Sequence, residues 1–275
     1  MIKVAYNSCP LCDSSKIENH MEGDCTTHPV IKKNPSFDHK IQWKKCVNCN
    51  HVFNSTYFTT EAFDVALKDV HDNQKAGFEF ESQRHVSAEM IEKVLPYVSS
   101  GYWLDVGFGN GSLLFTAKEY GFDPVGLDLR KENVDLIKEF GITAFSVDIV
   151  DFNFYNKVSV VSMTDVLEHI PFPKTALTAA HRLLDTNGVL LLSMPNIDST
   201  AWKLSTRFSK NPYWDEVEHC HNFGKDRLYA LLEEHGFRPI RYGISNRYRM
   251  CMEIICTKSE IKNQLDKKVI KLHRI

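Results

Sequence analysis

Two cysteine pairs and one run of alternating glycines are where this chain can do chemistry. Cys9-Pro-Leu-Cys12 and Cys46-Val-Asn-Cys49 use four of its eight cysteines. Two such knuckles supply four thiolates that close a tetrahedron around zinc, and with every position filled by sulfur the metal is structural, without an open site for substrate. The second place is Trp103-Leu104-Asp105-Val106-Gly107-Phe108-Gly109-Asn110-Gly111-Ser112. An apolar, β-prone run ends there in an acid, glycines alternate, and Leu113, Leu114, Phe115 and Ala117 open a helical pattern. A backbone that bends sharply within van der Waals reach of a ligand has no room for a Cβ. A dinucleotide-binding turn has the spacing G-x-G-x-x-G, whose third glycine would fall on Ser112, whereas Gly111 keeps the alternate spacing.

The elements around this turn read as alternating strands and helices. Pro124–Leu129 is a buried strand with Asp128 at its end, and a helix over 131–140 stops at Gly141. A third strand over 142–147 is followed by Asp148 and Ile149, and Val158–Met163 is a fourth that runs into Thr164-Asp165-Val166-Leu167-Glu168-His169. A helix over 174–184 and an apolar strand over 189–193 make a fifth unit, and strands over 239–245 and 250–257 close the chain as a hairpin. The stretch 197–215, with Trp202, Phe208, Tyr213 and Trp214, is expected as a substrate lid beyond the fifth strand.

The acid-x-Gly-x-Gly-x-Gly spacing of Asp105, Gly107, Gly109 and Gly111 resembles motif I of class I S-adenosylmethionine-dependent methyltransferases, and the L-E-H segment after the fourth strand resembles motif IV of their small-molecule branch. The resemblance covers residues 100 to 258 and implies an α/β, Rossmann-like sheet of seven strands with helices on both faces. By that resemblance Asp128 holds the ribose hydroxyls of S-adenosyl-L-methionine, Asp148 and Ile149 meet its adenine, and Thr164 and Asp165 complete the cofactor site. Helices ahead of motif I commonly close over the cofactor in that family, so Phe78, Phe80 and Arg84 are candidate lid residues, the alternative being that they pack the zinc module on the main domain. The sugar C-methyltransferases of deoxysugar biosynthesis combine a two-knuckle zinc module with an E-H-x-x-[YF] segment. Cys9, Cys12, Cys46 and Cys49 resemble the first; Glu218, His219 and Phe223 resemble the second loosely, with Phe223 one position later than the pattern. The resemblance implies His219 as general base, with Glu218 assisting, and His169 and His221 as further candidates. Those enzymes carry another carboxy-terminal domain that this chain is too short to hold, which leaves oxygen or carbon open as the methylated atom.

The domain reading is therefore a zinc ribbon over 1–55, irregular between its knuckles and unable to bury a core alone, then a helical linker or lid over 56–98. The methyltransferase domain spans 99–258, and 259–275 is a helix or tail. At 275 residues, 43% hydrophobic and 25% charged, the composition is that of a globular protein. No apolar run approaches a membrane span and the start lacks a signal-peptide core, from which a cytoplasmic location is expected. A net charge of -2 gives no footprint for a polyanion, so a small-molecule acceptor, plausible as a sugar or nucleotide-sugar, is favoured over nucleic acid. An RNA methyltransferase that grips RNA through the ribbon and a non-catalytic cofactor-binding scaffold are the alternatives.

Overall fold

The computed structural model describes residues 2–68 and 74–260. Lys3–Ala5 (β1), Ile17–Asp24 (β2), Pro29–Lys33 (α1), Lys40–Cys46 (β3), Val52–Asn54 (β4) and Thr56–Phe58 (β5) build the amino-terminal module, and Thr60–Lys68 (α2) and Phe80–Val94 (α3) follow. Then come Gly101–Val106 (β6), Ser112–Glu119 (α4), Phe122–Leu127 (β7), Lys131–Glu139 (α5), Thr143–Phe145 (β8), Val158–Thr164 (β9), Pro173–Leu183 (α6) and Leu184–Pro195 (β10). Thr200–Arg207 (α7), His221–Asn222 (β11), Lys225–Glu234 (α8), Phe237–Ile244 (β12) and Cys251–Lys258 (β13) complete the described chain.

Seven strands form one sheet in the order β12-β13-β10-β9-β6-β7-β8. β6 through β10 pair in parallel, and β13 inserts antiparallel between β10 and β12. The central strands read as continuous apolar runs because both faces are covered. Successive residues therefore serve opposite cores. Leu104, Val161 and Leu190 pack with α6 and α8 residues, while Trp103, Val160 and Leu191 pack with Met90, Ile91 and Val94 of α3. The strand order reverses between β6 and β9, so a crevice opens beyond their carboxyl ends. Asp105 and Asp165 stand at those ends.

The amino-terminal module departs from the expected irregular ribbon. Both knuckles do sit on turns, but β2 and β3 between them form a long antiparallel ladder from Ile17↔Cys46 to Asp24↔Lys40. The module also has a core, which it shares with the stretch expected as a lid. Cys25, Val30, Ile41 and Trp43 are buried together with Trp202, Trp214 and Val217. Trp43 Nε1 donates to the Trp214 carbonyl at 2.9 Å, and a Cβ on Gly23 would lie 2.0 Å from that same oxygen. That closeness is why glycine stands there. The segment 197–217 is therefore a buttress, fastened by apolar burial that a freely opening lid would forfeit.

Two further boundaries move. Thr56–Phe58 pairs with Lys3–Ala5, so the module extends past residue 55 into the stretch read as linker. His221–Asn222 adds to β4 as the edge of the module's four-stranded sheet, in the order β11-β4-β3-β2. The expected terminal helix or tail falls almost wholly on 261–275, outside the described residues.

Candidate active site and cysteine cluster

Tight turning at the end of β6 shapes the first half of the site. Gly107, Gly109 and Gly111 have φ of 66°, 56° and 83°, a region that favours glycine. A Cβ on Gly107 would come within 2.7 Å of Val166, whereas one on Gly109 would meet, among the described residues, only the Gly107 carbonyl, at 3.9 Å. Among the described residues Gly109 therefore borders open space, a cradle that fits a cofactor's approach to the backbone. Gly111 caps α4, and Asn110 fastens the loop from outside by donating through Nδ2 to the Phe78 carbonyl at 3.0 Å while its own carbonyl accepts from Gly77. The ring of Phe80 packs edge-on against Phe115 at 4.9 Å. Residues 77–80 thus contact the glycine loop and α4, and Arg84 turns to the surface and pairs with Glu81 and Glu119.

Asp105 is buried and accepts from Ser162 Oγ at 2.6 Å, which itself accepts from Trp103 Nε1 at 2.8 Å. Burial pushes its carboxyl up to about 7 against the pull of the Ser162 hydrogen bond. Asp128 lies behind the loop. One of its oxygens accepts from Gly109 N–H at 3.2 Å and Arg130 Nη2 at 2.7 Å, the other from the backbone N–H and Nε of Arg130, both at 2.9 Å. Asn133 joins this group by donating to the Gly109 and Gln74 carbonyls. Asp148 is exposed and accepts from Val150 N–H, and the side chain of Ile149 packs in the main core. Asp165 follows Thr164 with φ of 57°, an unusual conformation for a non-glycine residue. It is held by Ser193 and faces Arg247 at 3.6 Å, and burial pushes its carboxyl up to about 6.

The second half of the site is a buried cluster of acids and imidazoles. The donor atoms of Glu168, His169 and His219 lie within 4.8 Å of one another, and the His169 and His219 rings meet edge to face at 4.6 Å. Tyr213 stacks on the His219 ring at 6.0 Å. Among the described residues, one oxygen each of Glu168 and Glu218 and the Nδ1 of His219 are buried without a hydrogen-bond partner, whereas buried polar atoms are normally paired with protein or water. Burial pushes the Glu168 carboxyl well above its usual range and Glu218 up to about 7. The same burial pushes His169 down to about 4 and His219 down to about 3, so both rings are neutral at neutral pH. Glu216 is the ionised member of the group: burial alone would raise it, but the hydrogen bond from His28 at 3.2 Å and the surrounding imidazoles hold it down at about 2. His221 does not join this cluster. Its ring is buried between His51 and the Ile170 carbonyl.

Residues 80–242, more than half of the chain, match the model of the methyltransferase-domain family. The chain belongs to that family. Its fold is that of class I S-adenosylmethionine-dependent methyltransferases. The chain is similar to the ubiquinone biosynthesis O-methyltransferase of Proteus mirabilis (strain HI4320), with 29% identity over 107 residues, covering 36% of this chain and 44% of that protein. The enzyme of the same name from Haemophilus ducreyi (strain 35000HP / ATCC 700724) is 31% identical over 113 residues, 37% of this chain and 48% of that protein. The chain thus spans about half the length of the curated relatives it matches. Among solved structures, the PH0226 protein from Pyrococcus horikoshii OT3 superposes with a TM-score of 0.55 at 16% identity, over 69% of this chain and 97% of that one. Burkholderia thailandensis 1,6-didemethyltoxoflavin-N1-methyltransferase, solved with bound 1,6-didemethyltoxoflavin and S-adenosylhomocysteine, gives 0.54 at 14% identity, over 78% and 98%. At these identities the likeness is one of fold.

The methyltransferase also has its cysteine cluster assembled. Cys9 Sγ lies 3.7 Å from Cys49 Sγ, and Cys12 Sγ 3.5 Å from Cys46 Sγ, close to the roughly 3.8 Å edge of a tetrahedron with zinc–sulfur bonds of about 2.3 Å. The four sulfurs can hold one ion of that size, and Asn48 Nδ2 donates to Cys12 Sγ. Three contributors to the site escape sequence patterns: Arg130 and Asn133 around Asp128, and Arg247 opposite Asp165. Their only signal was proximity in sequence to a motif or a strand end.

Proposed function

We propose that this methyltransferase moves the methyl group of S-adenosylmethionine to a small polar acceptor, a sugar or nucleotide-sugar, and that Cys9, Cys12, Cys46 and Cys49 hold a structural zinc ion. When bound, S-adenosylmethionine supplies an electrophilic methyl on its sulfonium, so the chain must orient the acceptor and remove its proton. Gly107, Gly109 and Gly111 give the cofactor its close approach to the backbone, Asp128 takes the ribose hydroxyls, and Asp105, Thr164 and Asp165 line the strand ends beside the methionine part. Asp148 meets the adenine edge.

The observation that carries the reading is the buried group of Glu168, His169, Glu218 and His219, in which three of the four have atoms without a partner among the described residues. Burial inverts the usual order of basicity within it. His219, pushed down to about 3, is a weak base at neutral pH, while Glu218, pushed up to about 7, matches the working pH. Glu218 therefore accepts the acceptor's proton, and neutral His219, flanked by His169 and Tyr213, orients the acceptor through its ring. The names of the curated relatives favour a hydroxyl oxygen as the methylated atom; the zinc module's resemblance to sugar enzymes favours the sugar class.

The test is transfer of a labelled methyl group from S-adenosylmethionine into an extract of the source cell, fractionated by size and by nuclease sensitivity. Label in small, nuclease-resistant, sugar-containing molecules is the expected result. Label confined to large, ribonuclease-sensitive material would overturn the acceptor class and make the module an RNA grip.

A further inference from the structure

His51 and His221 belong to neither cluster, yet they join the two. Both rings are buried, with His51 Nε2 3.0 Å from His221 Nδ1 and His221 Nε2 3.0 Å from the Ile170 carbonyl oxygen. A carbonyl only accepts, so His221 carries its proton on Nε2. Its Nδ1 is then an acceptor, and His51 must donate from its own Nε2. The Nδ1 of His51, which has no partner among the described residues, is the lone pair this assignment leaves over. The chain of hydrogen bonds therefore has one direction, from the second cysteine knuckle to the loop after β9.

Both ends are anchored at chemistry. The His51 carbonyl accepts from Cys46 N–H at 2.9 Å, and Ile170 directly follows Glu168 and His169. Parallel ties run alongside: Cys220 N–H to the Glu168 carbonyl at 2.8 Å, Asn54 N–H to the Cys220 carbonyl at 2.9 Å, and Asn54 Nδ2 to the His219 carbonyl at 3.3 Å. The two Asn54 ties cross from the module to the segment bearing His219, and the Cys220 tie joins that segment to the loop bearing Glu168.

We propose that His51 and His221 are positioning residues for methyl transfer: a directional imidazole chain by which the metal-binding module holds the loop bearing Glu168 and His169 opposite Glu218 and His219. This rests on the reading of that cluster as the acceptor site. The module thereby acts on the reaction through the position of that loop, beside the hydrogen bond that its His28 makes to Glu216.

The side-chain tautomers of His51 and His221, read by nitrogen-15 NMR on the unaltered zinc-loaded protein, are both expected as Nε2–H. A proton on His221 Nδ1 instead would overturn the chain, because the bond to Ile170 could not form. His51→Phe keeps an aromatic ring against Phe53 and Phe223, 5.9 and 5.2 Å away, and removes the donor; His51→Gln keeps an amide donor. In His51→Phe, zinc content and affinity for S-adenosylhomocysteine stay unchanged, and amide exchange over 168–170 quickens at least tenfold. Turnover drops at least tenfold with the KM for S-adenosylmethionine within twofold, and His51→Gln recovers most of both losses. A folded His51→Phe with turnover and exchange within twofold of the parent refutes the assignment. Should no acceptor be methylated by the parent protein, the acceptor-site reading fails while the tautomer and exchange readouts still decide the chain itself.

Discussion

Replacing Asp128 by Asn tests the cofactor cradle without any knowledge of the acceptor. The substitution keeps volume and one carbonyl oxygen but removes the charge. Two ribose hydroxyls on a carboxylate are worth roughly 1.5–3 kcal/mol each in favourable surroundings. Here the carboxylate already accepts from Gly109 and three times from Arg130, so ribose binding is partly an exchange of donors, and about 2 kcal/mol is the reasonable net loss. That corresponds to about 30-fold weaker binding. Calorimetric titration with S-adenosylhomocysteine measures it directly, since that ligand carries no methyl to transfer. Arg130 loses its partner in the same variant, so a thermal melt must accompany the titration. A folded Asp128→Asn protein whose dissociation constant stays within twofold of the parent would refute the ribose assignment.

Glu218→Gln should lower turnover by about 10²- to 10⁴-fold and abolish the rise of rate with pH through about 7, the range to which burial pushes Glu218. Its stability signature has a defined sign: the folded carboxyl holds its proton to about 7 while the unfolded one releases it near 4.5. Wild-type stability therefore falls as pH rises across that window, and urea denaturation at pH 8 should find Glu218→Gln the more stable by about 1–3 kcal/mol. Metal analysis should give one zinc per chain, and Cys46→Ser should lose it together with several kcal/mol, read as a melting temperature lower by about 10 °C or more. Unchanged metal content in Cys46→Ser would count against the four-sulfur site. Trp214→Ala removes a ring packed on Trp43 and Trp202, 5.8 and 5.2 Å away, and should cost about 3–5 kcal/mol and expose the module to limited proteolysis.

The catalytic half of the fold was legible because its signals are local. Continuous apolar runs marked β6, β7, β9 and β10, glycines with positive φ ended α4 and α5, and the glycine turn announced itself by spacing. Ile142 to Val147 was read too long, since only Thr143–Phe145 at the sheet edge has a partner strand. The cysteine pairs were legible for the same reason. What joins the two halves was not, because it is made of contacts between residues some 170 positions apart: Trp43 with Trp214, His51 with His221. No periodicity records such a pairing. A module seen alone in sequence had too few apolar residues for a core, and the segment 197–217 seen alone had too many aromatics for a loop. Each is the other's missing half. The same physics governs the pKa values, since the raised carboxyl of Glu218 and the neutral ring of His219 follow from burial between β11, the loop after β9 and the buttress, and burial is a property of the assembled chain. Loss of the module should therefore shift the pH dependence of the reaction toward the ordinary values of a carboxylate and an imidazole, although the module places no side chain on the cofactor.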